Sequence, residues 1–261
     1  MPTKAVRLAL TVALALPLFG QRPDYNYRWI SLGFQKVEPA QVSEFLSRMR
    51  EYSKPLYQSQ VEKGTITSWK LFRVRYPNSD DADYRFVSMT EVPQFQYLDF
   101  PAHMGDPKLV LGEAKAAEMR KAAAKAPSHL VRVQELRLFH STEGWSKADA
   151  KVLQVRYLKT EPGTEGDMVG RFREFWKPFY EDSVKAGHAT AWAALQARFR
   201  GASDLPYGWI TINGFGKLGD MGTPLPPEMA KRWGPRFRQL DLNRGRKLVK
   251  EELWELVEAA R

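Results

Sequence analysis

The feature that most constrains this chain is that much of its sequence is written twice. Displaced by 123 residues, Ile30–Thr90 aligns without gaps on Leu153–Asn213, with 16 identities in 61 columns, where average composition gives about 4 by chance. The densest match sets Arg48, Arg50, Glu51, Lys54, Pro55 and Tyr57 on Arg171, Arg173, Glu174, Lys177, Pro178 and Tyr180. Downstream, Gly64, Thr67, Trp69, Arg75 and Tyr84 fall on Gly187, Thr190, Trp192, Arg198 and Tyr207. Repetition at this period means two copies of a domain-sized unit rather than a solenoid.

Each copy carries the same order of patterns. Trp29–Val37 and Val152–Lys159 alternate as strands. Glu-Pro then opens a helix whose apolar residues recur at Phe45, Met49, Tyr52 and Leu56, and at Met168, Phe172, Phe175 and Phe179. Steps of four, three and four place each set on one face. Gly64 and Gly187 stand where such helices stop. Strands are expected at Ser68–Tyr76 and Tyr84–Val92, and again at Ala191–Phe199 and Tyr207–Phe215. Loops rich in Pro, Asn, Gly, Ser and Asp separate them, at 77–81 and 201–204. A second helix follows at Lys108–Ala126 and at Pro227–Leu240, then a last strand at His129–Phe139 and at Lys247–Val257. The expected division is a signal peptide at 1–20, modules at 27–140 and 151–261, and a linker at 141–150.

Strand, helix, strand, strand, helix, strand is the ferredoxin-like order, with both helices on one face of an antiparallel sheet. The other face needs a cover, and two modules in one chain supply it by packing sheet against sheet. The predicted class is therefore α+β: two tandem βαββαβ modules forming an intramolecular α/β barrel. In this pattern the chain resembles the dimeric α/β-barrel superfamily in tandem single-chain form. That group includes antibiotic-biosynthesis-type monooxygenases, NIPSNAP and EthD-like proteins, and several haem-binding enzymes. The resemblance is one of topology, covers nearly the whole chain after residue 26, and rests on no motif of a particular family.

Strand alternation separates two faces. Phe72, Val74 and Tyr76, with Leu195, Ala197 and Phe199, are expected to meet the helices, as are Val87, Met89, Ile210 and Ile212 of the third strands. Trp69, Leu71, Arg73 and Arg75 lie opposite, as do Trp192, Ala194, Gln196 and Arg198. In the third strands the opposite face carries Tyr84 and, in the second copy, Tyr207, Trp209, Thr211 and Asn213. This mixture of aromatic and polar groups suits a pocket with apolar walls and a few placed polar atoms. Trp69, Arg73, Arg75, Tyr84, Trp192, Gln196, Arg198, Tyr207, Trp209 and Asn213 are thus the candidate ligand-binding lining of the barrel. The alternative is plain hydrogen bonding across the sheet–sheet interface. The repeated Lys-Pro-x-Tyr puts proline inside the first helix, where it bends the helix. That bend either brings Tyr57 or Tyr180 to the barrel mouth or merely wraps the helix over a twisted sheet.

Lys4 and Arg7, the apolar run Leu8–Phe19 and Gly20 have the layout of a secretory signal. The run is far short of the roughly 20 residues of a spanning helix. Export to a periplasmic or extracellular space is the expectation, with no stable membrane insertion after the signal leaves. The chain has no cysteine, which excludes disulfides, thiolate metal sites and a cysteine nucleophile. The formal charge of +10 is scattered among acids, so a solvated basic surface, not a nucleic-acid site, is expected. Asp241–Glu252 resembles a calcium loop at positions one, three and twelve, but has Gly245 at five and Arg246 at six. His103, His129, His140 and His188 show no metal-ligand spacing. Haem ligation by one of them is what the resemblance implies for some relatives.

Three functions follow as expectations. The first is an exported barrel, monomeric because the repeat supplies its own pseudo-dimer, that binds a small anionic, aromatic or amphiphilic ligand between its sheets without a cofactor. The second, implied by the resemblance, is a cofactor-independent monooxygenase in which Asn213, Trp209 and Tyr57 orient a carbanion-forming substrate. The third is calcium binding at 241–252.

Overall fold

The computed structural model describes residues 27–76, 83–98, 106–125, 127–197, 205–240 and 244–260. The signal region, the loops at 77–81 and 201–204, and Arg198, Phe199, His103, Asp241 and Asn243 lie outside the described residues. Among these residues no helix is long and apolar enough to cross a membrane.

Eight strands close into one barrel. They are β1 (Trp29–Val37), β2 (Ser68–Tyr76), β3 (Phe86–Val92), β4 (Ser128–Ser141), β5 (Val152–Thr160), β6 (Ala191–Ala197), β7 (Trp209–Phe215) and β8 (Arg246–Ala260). Their order around the barrel is β1-β3-β2-β8-β5-β7-β6-β4, every pair antiparallel. Closure removes the sheet edges that two separate modules would expose. The long fourth strands make the seams. The first part of β4 pairs with β1 of its own module, and its end pairs with β6 of the other. Likewise β8 pairs with β5 and then with β2. The two modules therefore share a continuous ladder.

Helices α1 (Val42–Arg48) and α2 (Lys54–Glu62) cover the first module, and α5 (Glu165–Arg171) and α6 (Lys177–Lys185) cover the second. Each pair is continuous through a π-helical turn, Met49–Ser53 or Phe172–Trp176. Pro55 and Pro178 follow these turns and donate no backbone bond, and the wider turn absorbs the missing rung. Between them lie α3 (Pro107–Leu111) and α4 (Glu113–Ala123), two helices where the sequence reads one, interrupted at Gly112. The second module ends with α7 (Pro227–Gln239) ahead of β8.

Alternation is present in every strand, but the faces are reversed from the expected ones. Phe72, Val87, Met89, Leu195, Ile210 and Ile212 point into the barrel, where they join Ile30, Leu32, Leu136, Val155 and Trp254 in one core. Trp69, Leu71 and Phe86 pack with Phe45 under the first helices. Trp192, Ala194 and Trp209 pack with Phe172, Phe175 and Phe179 under the second. The physical reason is room. Eight inner faces converge on one axis and favour aliphatic residues, with rings only where layers interlock. The gap between sheet and helix takes the indoles of Trp69, Trp192 and Trp209, while those of Trp145 and Trp254 lie in the barrel core.

Buried side chains meet across the barrel interior. Trp254 meets Phe34 at 6.4 Å and Phe72 at 5.9 Å, and Tyr157 meets Tyr207 edge-on at 4.7 Å. One end carries a polar layer in which Tyr84 donates to Glu252 and Tyr207 donates to Gln134. The other end is closed by the segment between the modules. Trp145 is buried in the barrel core, and Ser146 and Arg28 both donate to the buried Glu91. Among the described residues, these packed side chains stand in the space between the two sheets where a ligand was expected.

The calcium-loop reading fails on the same geometry. Arg246–Glu252 is already strand, and the Glu252 carboxylate, 1% exposed, accepts from Tyr84, Tyr157 and the Trp254 indole. Lys250 adds an ion pair at 2.7 Å.

Candidate functional site

A cavity lies between the second module's sheet and its first helix, outside the barrel. Its volume is about 250 Å3, and its walls come from β5, β6, β7, β8 and the α5–α6 bend. Strand alternation brings Arg156 and Leu158, Trp192, and Thr211 and Asn213 to this face, and the π turn brings Phe172 and Trp176 to meet them. Tyr180, one turn later, stacks on Trp192 with centroids 5.5 Å apart and an interplanar angle of 9°. Trp176 continues the pile, stacked on Tyr180 at 6.1 Å. The result is a flat aromatic wall.

Two guanidiniums face that wall. Arg156 is held by its Nε, which donates to Glu251 Oε2 at 2.6 Å. Glu251 also accepts from Gln154 at 3.2 Å, and Gln154 in turn accepts from Asn213 Nδ2 at 2.8 Å. Asn213 therefore serves as the buried end of a chain that fixes Arg156. Arg246 starts β8 directly after Gly245, whose φ of +74° turns the chain against Thr164. Its guanidinium lies 5.4 Å from the Trp176 ring centroid. Among the described residues Arg246 makes no ion pair. Burial, then the neighbouring Arg156 and Arg171, lower its pKa from the ordinary arginine value. A half-buried cation with like-charged neighbours and no carboxylate of its own is an environment that favours an anion. Burial pushes the Tyr180 phenol up to about 12 against the pull of Arg156 and Arg246, so at neutral pH it is a neutral hydrogen-bonding group.

The residues expected to line one barrel pocket are distributed over several places. Trp192 and Asn213 do meet, in the helix–sheet cavity. Trp209 stands behind them, 5.2 Å from the Phe172 ring. Trp69 stacks on Tyr57 at 4.6 Å under the first module's helices. Arg73 and Arg75 are exposed, Arg75 pairing with Glu255. Gln196 accepts from Arg137 at 2.6 Å on the outer face of β6. Tyr84 and Tyr207 alone lie inside the barrel, in its polar end layer. Arg156, Arg246 and Trp176 were missed. Arg156 carried a signal, since it sits in the polar phase of β5 where the other copy has Gly33. Arg246 was hidden inside the stretch resembling a calcium loop.

Haem, held by some proteins of this fold, does not suit these walls. They contain no histidine, cysteine or methionine. Tyr180 is the one wall residue of a type that ligates haem iron, and it is held as the neutral phenol. Among the described residues no three His, Asp or Glu side chains cluster to hold a metal ion.

No family model matches the chain, and no curated protein matches it. Solved structures do. A candidate monooxygenase of Fusobacterium nucleatum superposes with a TM-score of 0.55 at 10% identity, covering 91% of this chain and 95% of that one. A candidate monooxygenase of Lactobacillus acidophilus gives 0.51 at 10% identity, over 90% and 96%. A candidate chlorite dismutase gives 0.49 at 8% identity, over 89% and 95%. At such identity the likeness to the two monooxygenase candidates speaks for the fold alone. With its closed antiparallel barrel and outer helices, the chain has the fold of the dimeric α/β-barrel superfamily, both halves joined in one polypeptide.

Proposed function

We propose that the protein is a monooxygenase-type enzyme that acts, without an external reductant, on a small planar substrate bound as its anion in the Arg156–Arg246 cavity. The observation that carries this is the pairing of two guanidiniums with the flat Trp176–Tyr180–Trp192 wall. Aromatic faces bind a ring by stacking, and the cations favour a phenolate, enolate or carboxylate at its edge. A cavity of about 250 Å3 is sized for one or two rings. The descriptions of the Fusobacterium and Lactobacillus proteins support oxygenation as the reaction class.

The chemistry asks little of the chain beyond binding and charge. A phenol or an activated methylene bound beside Arg156 and Arg246 gives up its proton to solvent more readily, because the anion gains two neighbours of opposite charge. That anion is electron-rich enough to reduce O2. For an activated methylene the balance is CH2 plus O2 giving C=O plus water: two C–H bonds break, one C=O bond forms, and four electrons pass to O2. One oxygen atom stays in the product and the other leaves as water. The buried aromatic wall shields one face of the anion from solvent, and the Tyr180 hydroxyl is available to donate to a developing oxyanion.

The test is oxygen uptake with anthrone-like and quinol-like substrates, in the parent protein and in Arg156→Gln and Arg246→Gln. The expected result is turnover that falls by about tenfold or more in each variant, the size of one lost electrostatic contact, with unchanged circular dichroism. Oxygen uptake equal in the parent and both variants, or none with any acidic phenol or methylene, overturns the reading.

A further inference from the structure

The polar layer at one barrel end is built twice, and only one of its halves has its charges matched. In the repeat Leu32 falls on Val155, Phe34 on Tyr157 and Tyr84 on Tyr207. Strand pairing extends the correspondence to the last strands. Arg132 faces Phe34 as Lys250 faces Tyr157, and Gln134 faces Leu32 as Glu252 faces Val155. The layer therefore consists of two equivalent trios: Tyr84, Glu252 and Lys250, and Tyr207, Gln134 and Arg132. In the first, the Glu252 carboxylate accepts from Tyr84, Tyr157 and the Trp254 indole, and pairs with Lys250 at 2.7 Å. In the second, an amide stands in place of the carboxylate, and Phe34 and Leu136 stand in place of Tyr157 and Trp254. The cation is present there and its anion is not.

Two donors are left over as a result. Tyr207 donates to Gln134 Oε1 at 2.9 Å, which turns the amide so that its Nε2 remains, buried and without a hydrogen-bond partner. Gln134 itself is 5% exposed. Arg132 Nε is likewise buried and unpartnered. Its guanidinium lies 4.0 Å from the Phe34 ring centroid and 5.4 Å from that of Tyr84, and among the described residues no carboxylate pairs with it. A buried donor without an acceptor is costly, and a charged one more so. We propose that this half of the layer binds a small carboxylate, of the size of formate or acetate, with one oxygen on Arg132 and the other on Gln134 Nε2. The ligand takes the place that the Glu252 carboxylate fills opposite. Arg132 and Gln134 are two residues apart on one face of β4, about 7 Å between Cα atoms, a span that a carboxylate group bridges. A planar two-oxygen anion fits a guanidinium and an amide better than a spherical halide does. Lys250 offsets the charge of Glu252, so that carboxylate does not bar a second anion from the layer. Arg132 is only half-buried, which opens the site to solvent from the barrel end.

The site lies inside the barrel and the Arg156–Arg246 cavity outside it, so the proposal does not rest on the oxygenase reading. Acetate is titrated calorimetrically into the full chain at neutral pH and constant ionic strength. The same titration is made with Arg132→Gln, with Gln134→Glu and with the double variant Arg156→Gln, Arg246→Gln. Gln134→Glu is the decisive change, because it builds into the second trio the carboxylate that the first already has. The expected result is saturable binding that the double variant retains, that Arg132→Gln weakens about tenfold or more, as for the loss of a charged hydrogen bond, and that Gln134→Glu abolishes with unchanged circular dichroism. If Gln134→Glu does not fold, Arg132→Gln and the double variant decide. No saturable binding to the parent overturns the proposal. So does binding that survives both end-layer substitutions, or that is lost with the cavity arginines instead. Chloride that competes as strongly as acetate overturns the assignment to a carboxylate.

Discussion

Tyr84 of the first module donates its hydroxyl to Glu252 of the second at 2.6 Å, inside the barrel. The reciprocal contact is Tyr207 of the second module donating to Gln134 of the first at 2.9 Å. The same tyrosine thus crosses the module boundary twice, once to a carboxylate and once to an amide. A hydrogen bond to a charged acceptor contributes more than one to a neutral acceptor. Tyr84→Phe is expected to cost about 1.5–3 kcal/mol and Tyr207→Phe about 1 kcal/mol, read from urea unfolding. Equal losses mean that the Glu252 charge adds nothing to the layer. Glu252→Ala, which strands Lys250 and three donors, is expected to cost more than either.

Trp145 makes a second prediction, because it belongs to the segment between the modules and yet is 3% exposed within the barrel core. Its neighbours Lys70 and Ala148 are held to the same end, Lys70 Nζ lying 5.8 Å from the indole centroid and donating to the Ala148 carbonyl. Trp145→Ala is expected to lower stability by about 3–5 kcal/mol, the range for emptying a buried indole. A loss below about 1 kcal/mol in the same unfolding measurement matches instead an exposed linker residue.

These two contacts show where sequence reading stops. The repeat fixes topology, because Phe45, Met49, Tyr52 and Leu56 recur as Met168, Phe172, Phe175 and Phe179 and each set needs a sheet to cover. Alternation in β2 and β6 is equally plain, but it has a period and no sign. Nothing in Trp69-Lys70-Leu71-Phe72 says which phase meets the helix when both faces are buried. The sign comes from the width of the barrel against the width of the helix–sheet gap, a property of closure that no single strand carries. The site shared that fate. Trp192 and Asn213 were legible as a pair on one face, whereas Arg246 joins them only because β8 runs antiparallel to β5 with Arg246 opposite Thr160. Trp145 lay in a stretch whose Gly, Ser and Lys content reads as a linker, and its role depends on where the two modules leave the barrel end open.

His140 gives a pH dependence. It lies on β4 in contact with Phe139, and burial, then Lys177 and Arg173, lower its pKa from the usual value. A histidine lowered in the folded state binds fewer protons there than in the unfolded chain between the two pKa values. Stability from this group is full above the unfolded value of about 6.5 and declines as pH falls from there to the folded value. His140→Gln removes that decline. Urea midpoints measured across this window are expected to fall less steeply with acid in the variant than in the parent, and parallel curves refute the assignment.

Glu251 offers the most discriminating change at the proposed anion site. Its carboxylate takes the Arg156 Nε at 2.6 Å, and both side chains are partly exposed, 39% for Arg156 and 32% for Glu251. A pair so placed contributes about 0.2–1 kcal/mol to stability. Glu251→Gln keeps an acceptor for Arg156 and for Gln154 while deleting the negative charge beside the cavity. Two effects then oppose each other: the site becomes more positive, and Arg156 is held less firmly. The first prevails if an anion binds at the guanidiniums, because a neutral amide still accepts from Nε whereas the removed charge repelled the ligand directly. Affinity for anilinonaphthalene sulfonate is expected to rise about twofold to fivefold, the equivalent of that pair energy. The gain is expected to shrink with added salt, as exposed charges are screened. An unchanged affinity, or a gain that salt does not touch, places the anion away from Arg156.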